Sequence, residues 1–83
     1  MSDKVCLITG VGPGTGAALA RRFGRGGYRV AMLARDRERL TGLEREIAGA
    51  RGFPCDVTDE VALQATCAAV AEELGPPAVV LHN

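Results

Sequence analysis

The sequence predicts a three-layer α/β fold on a parallel sheet, with the elements in the order β-α-β-α-β-α-β. Three observations predict it. The apolar runs are short and almost free of charge, as in strands covered on both faces. Helix-patterned segments with their own start and stop residues lie between them. The connections are short, which favours right-handed crossovers between parallel neighbours. A fourth strand that opens the second half of a doubly wound sheet gives the strand order 3-2-1-4. Within its 83 residues the chain shows no linker, internal repeat or low-complexity tract, so residues 1–83 are read as one unit, the first half of such a domain.

Val5 to Thr9 reads as the first strand. Thr15 to about Arg25 reads as a helix, with Leu19, Ala20 and Phe23 on its inner side and Gly24, Gly26 and Gly27 stopping it. Tyr28 to Ala34 is the second strand. Asp36 caps a helix to about Ala48 whose inward stripe is Leu40, Leu43 and Ile47, and Gly49 ends it. Arg51 to Cys55 is a third strand, and Pro54 places it at an edge. Thr58 caps the third helix, with Asp59 and Glu60 favouring its dipole and Val61, Ala65, Ala68 and Leu74 facing inward. Gly75-Pro76-Pro77 breaks that helix, and Ala78 to Leu81 forms the fourth strand.

Composition narrows the function classes. Hydrophobic residues make up 47% and charged residues 24%, ordinary for a soluble globular domain. Ten basic and ten acidic side chains cancel, so no basic surplus points to nucleic acid or an anionic membrane. No apolar run is long enough to span a bilayer, and Met1-Ser2-Asp3-Lys4 lacks a signal-peptide layout. Cys6, Cys55 and Cys67 are odd in number and scattered, which argues against a disulfide framework or a CxxC metal site. Reduced thiols in a cytoplasmic protein are expected.

The chemistry concentrates between the first strand and the first helix. Glycine falls at every second position there: Gly10, Gly12, Gly14 and Gly16. Glycine allows a sharp bend and a close approach of backbone to ligand, and a helix start attracts phosphate through unpaired N–H groups and its dipole. The strict G-x-G-x-x-G pattern fails, and no Gly-Lys-Ser/Thr follows to make a P-loop. T-G-x-x-x-G-x-G fits, as Thr9, Gly10, Gly14 and Gly16. The plainer reading is a turn that merely joins strand to helix. The fuller pattern resembles the short-chain dehydrogenase/reductase family, whose cofactor domain is a Rossmann-like sheet that binds NAD or NADP.

Later positions agree with that resemblance. A dinucleotide fold usually ends its second strand with an acid, about 20 residues past the loop, that holds the ribose 2′-OH. Here Ala34 stands in that place and Arg35 follows. A guanidinium with no competing carboxylate suits a 2′-phosphate, so NADP is expected in preference to NAD. In the family a basic residue just after the missing acid marks NADP use. A further basic position of some members is Pro13 here, leaving Arg37 or Arg39 to assist. Otherwise Arg35 is a solvated strand-end arginine.

Asp56-Val57 matches an Asp-Val pair that in the family caps the adenine amino group and covers the ring; a turn or helix-capping aspartate is the alternative. Asn83 matches the second residue of the family's N-N-A-G, whose backbone lies beside the adenosine ribose, and His82 replaces the first. His82 receives no chemical role. The resemblance therefore implies cofactor contacts at Gly10, Val11, Gly12, Gly14, Thr15, Gly16, Arg35, Asp56, Val57 and Asn83.

The family's catalytic serine, tyrosine and lysine, with a further asparagine, lie at later positions than these residues reach. Tyr28 and Lys4, the single tyrosine and lysine, do not match them. The resemblance implies an oxidoreductase moving hydride between NADP(H) and a small carbonyl or alcohol substrate, as a homo-oligomer, and no metal. The 83 residues alone would be inactive. Two other readings stay open. One is a non-catalytic dinucleotide-binding module that dimerises or assembles through an exposed fourth strand. The other is an S-adenosylmethionine methyltransferase, which Arg35 disfavours because a ribose site there would want a carboxylate.

Overall fold

A computed structural model describes residues 4–11 and 14–83. Its elements are β1 (Val5–Thr9), α1 (Thr15–Arg25), β2 (Arg29–Ala34), α2 (Arg37–Glu46), β3 (Ala50–Pro54), α3 (Glu60–Glu73) and β4 (Pro77–His82). The four strands form one sheet in the order β3-β2-β1-β4, and every pairing is parallel. β1 is one of the two inner strands, pairing Leu7 with Ala31 of β2 on one side and with Val80 of β4 on the other.

The period of two along a strand divides the core between the sheet's faces. Cys6, Ile8, Val30 and Met32 point to the face covered by Ala17 and Ala20 of α1 and Leu40 and Leu43 of α2. Val5, Leu7, Ala31 and Leu33 point to the face covered by Val70 and Leu74 of α3. Ile8 and Met32 are both 0% exposed. Each such side chain contributes about 1.5–3 kcal/mol by burial, well above any strand propensity, so packing between layers is what holds the sheet. Exposed ion pairs link outer elements: Arg21 with Glu46 between α1 and α2, and Arg51 with Glu73 at 2.6 Å between β3 and α3. Such pairs add little by comparison.

Most expected elements sit within a residue or two of their sequence-based limits, and Asp36 caps α2 as expected, accepting from the Arg39 amide at 3.1 Å. β3, with Pro54, lies at the edge of the sheet. Three details differ. α3 is capped by Asp59, which accepts from the Ala62 amide at 3.1 Å, not by Thr58. The Thr58 hydroxyl is already committed to Asp56, at 2.6 Å. The inner stripe of α3 moves with the cap: Val61, Ala65 and Ala68 are exposed, while Ala62, Leu63, Cys67, Ala69, Val70 and Leu74 pack on the sheet. Finally, Gly24 lies inside α1 and does not stop it; Gly26 is the C-cap. A Cβ at Gly24 would meet Ile47 Cγ2 at 2.5 Å, so its small size lets α1 approach the end of α2.

Candidate dinucleotide-binding site

Parallel strands all present their carboxyl ends to one edge of the sheet, and ligands of such sheets bind there. The chain leaves β1 at Gly10, β2 at Arg35 and β3 at Cys55-Asp56. These three exits border one cleft of about 370 Å³, lined by Gly10 and Val11, by Ala34, Arg35, Asp36 and Arg39, and by Cys55, Asp56, Val57 and Thr58.

The first exit is a bend that only glycine fits. Gly10 has φ of +67°, and a Cβ there would stand 2.9 Å from the Asn83 carbonyl oxygen. Val11 anchors the loop just beyond that bend: its amide donates to the Leu33 carbonyl at 3.0 Å and its side chain is 2% exposed. Gly16, in the first turn of α1, packs against that anchor; a Cβ there would stand 2.9 Å from Val11 Cα. Gly14 differs, because no atom of the described residues lies within 4 Å of a Cβ built on it. It is the N-cap of α1, without a side-chain cap bond, and no acidic residue occupies the first turn. The positive end of that helix therefore meets no carboxylate from its own first turn, and open space beside a cap glycine is what a phosphate would use. Thr15 opens the helix. Gly12, and Pro13 beside it, lie outside the described residues.

The end of β4 buttresses the same bend. Asn83 Nδ2 donates to the Gly10 carbonyl at 3.0 Å. Beneath it, buried Thr9 pairs its hydroxyl with His82 Nδ1 at 3.1 Å. His82 is thus a partner of the loop's first strand. Asn83 holds the loop and is not among the cleft-lining residues.

The second and third exits face each other. Arg35 Nη1 lies 3.9 Å from Asp56 Oδ2, and the arginine side chain is 80% exposed. A pair so long and so exposed is weak, which leaves the guanidinium able to turn to a ligand. Asp56 is better fixed. Its Oδ1 accepts from the Thr58 hydroxyl at 2.6 Å and from the Thr58 amide at 3.0 Å. Those two bonds, and then Arg35, hold its carboxyl below the usual carboxylate range. Asp56 therefore carries a directed acceptor at neutral pH, and half-buried Val57 beside it packs against the α3-side core. Ala34, 7% exposed, adds no carboxylate.

The residues present fit a dinucleotide: an open helix start suits a diphosphate, an acceptor beside an apolar wall suits a base, and a guanidinium suits an anionic group. The sequence pattern does not mark two of the contributors as cleft residues with these parts. Thr58 reads there as a helix cap, and Arg39 as no more than one of two helpers. An Asp-x-Thr spacing, which allows the Thr hydroxyl to reach back two residues, is the available signal for Thr58.

The profile described as short chain dehydrogenase matches residues 4–83. D-threitol dehydrogenase of Mycolicibacterium smegmatis is 38% identical over 87 residues, covering 100% of this chain and 34% of that protein. A variant of actinorhodin polyketide ketoreductase crystallised with NADPH superposes with a TM-score of 0.89 at 38% identity, covering 96% of this chain and 32% of that one. A 3-ketoacyl-(acyl-carrier-protein) reductase of Brucella melitensis complexed with NADH gives a TM-score of 0.86 at 32% identity, covering 93% and 32%. The chain belongs to the short-chain dehydrogenase/reductase family. It spans about a third of the length of these three relatives, over the Rossmann-like portion with strand order 3-2-1-4.

Proposed function

We propose that this chain holds the adenosine and diphosphate portion of NADP in an oxidoreductase that moves hydride between NADP(H) and a small carbonyl or alcohol substrate. The observation that carries the proposal is the cleft that Gly10, Arg35 and Asp56 border from three successive strand ends. NADP supplies the hydride chemistry. The chain's own residues bind and orient. The bend at Gly10 and the open helix start at Gly14, Thr15 and Gly16 receive the diphosphate. Asp56 accepts from the adenine amino group, Val57 covers the ring, and Arg35 pairs with the 2′-phosphate. Asn83 holds the bend in shape from below.

NADP is favoured over NAD because Ala34 and Arg35 replace the usual acid at the end of β2. The NADPH-bound ketoreductase supports that assignment, while the Brucella melitensis reductase is complexed with NADH. No described residue combines a tyrosine with a lysine four positions on, so proton transfer to the substrate belongs to other parts of the protein, and the 83 residues alone turn nothing over. A cytoplasmic homo-oligomer is the setting proposed. No helix among the described residues is long and apolar enough to cross a membrane.

Titration of the chain with 2′,5′-ADP, followed by amide NMR, tests the site without requiring turnover. Shifts concentrated at Gly10, Val11, Arg35 and Asp56 support the proposal. Shifts scattered elsewhere, or none at millimolar nucleotide, contradict it.

A further inference from the structure

We infer that Arg39 is a specificity-determining residue, a second cation positioned by Asp36 to pair with the 2′-phosphate. The inference rests on the cofactor proposal above and adds a residue to it.

A phosphate monoester carries about −1.5 to −2 charges at neutral pH and three strong acceptor oxygens. Arg35 alone answers one charge. Two carboxylates, Asp36 and Asp56, also line the cleft. With Arg35 as the sole cation, the cleft would be net negative and would repel a phosphate. Arg39 lines it too, so the four side-chain charges cancel and two guanidinium groups border the cleft. Arg37, between them in sequence, is exposed on α2 and does not border the cleft.

Arg39 is also the more enclosed of the pair. Its side chain is 33% exposed, against 80% for Arg35. One carboxylate fixes both of its ends: Asp36 Oδ1 accepts from the Arg39 amide at 3.1 Å, and Asp36 Oδ2 lies 3.6 Å from Arg39 Nη2. At 3.6 Å the head group is an ion-pair partner without a hydrogen bond, so its N–H donors remain available. Less rotamer freedom is then lost when a ligand arrives than at Arg35.

The test is the pair of dissociation constants for NADPH and NADH, measured by calorimetry on the wild-type chain and on Arg39→Met, which keeps the stem and the helix propensity. A charge-assisted bond lost predicts NADPH binding weaker by about tenfold, with NADH close to unchanged. Arg39→Lys should recover part of the loss. An unchanged NADPH constant, or equal losses for both nucleotides, overturns the inference. Should Arg39→Met melt, Arg39→Gln is read on the NADPH-to-NADH ratio, which general loosening of α2 does not move. A wild-type chain that binds neither nucleotide overturns the cofactor proposal itself, and this inference with it. A wild type that prefers NADPH, with that preference intact in Arg39→Met, overturns this inference alone.

Discussion

Asn83 Nδ2 donates to the Gly10 carbonyl at 3.0 Å, joining the last strand to the first bend across 73 positions of sequence. The bond fixes the turn at Gly10, whose positive φ leads from β1 towards α1. Asn83→Ala removes the donor from a water-accessible acceptor, so the stability cost should be small, about 1 kcal/mol or less. The larger effect should be on NADPH affinity, because the loop must then be ordered on binding. Parallel thermal melts and NADPH titrations check this. A variant that loses much stability at unchanged affinity would show that the bond serves the fold alone.

The loop glycines should separate binding from folding. At Gly16 a Cβ meets backbone, Val11 Cα at 2.9 Å, and the chain must shift to admit it. Gly16→Ala is expected to destabilise by about 1–3 kcal/mol. At Gly14 the Cβ meets no described atom within 4 Å, so Gly14→Ala should cost only the poorer N-cap, about 1 kcal/mol or less, while the methyl group intrudes where the diphosphate lies. Urea unfolding and NADPH binding of the two variants, side by side, decide. The opposite pattern contradicts the placement of the phosphate site.

Thr58 sets the ionisation of Asp56. The folded-state carboxyl lies below its ordinary range, mainly through the Thr58 hydroxyl and amide, and then Arg35. A group so depressed contributes stability that is present above the unfolded pKa and lost as pH falls through the folded one. Thr58→Val removes the hydroxyl bond and should move the Asp56 titration up towards the ordinary carboxylate range. Acid loss of cofactor affinity should begin at a higher pH in the variant. Carboxyl NMR titration of Asp56 reads the shift directly; an unmoved midpoint would remove Thr58 from the site.

Much of the fold is legible in the sequence because β1 and β2 are runs of apolar residues that only a doubly covered strand explains, and because Asp36 sits where a helix must start. The inner face of α3 is not. That helix is rich in alanine on every side, so its stripe depends on where it begins, and Asp56 claims the Thr58 hydroxyl that would otherwise cap it. Gly10, Arg35 and Asp56 are legible as positions after three strands, since a parallel sheet brings strand ends together. The role of Asn83 as a brace for Gly10 is not, because nothing local records a contact across the whole chain. Nor is the choice of Arg39 over Arg37, which turns on the side of α2 that meets the cleft.

The most direct measurement is the ratio of NADPH to NADH dissociation constants before and after Arg35→Ala. A cleft that takes a 2′-phosphate at the end of β2 predicts tighter NADPH binding in the wild type, with most of that advantage lost in the variant and NADH little affected. Equal weakening of both nucleotides, or an advantage that survives, would contradict it.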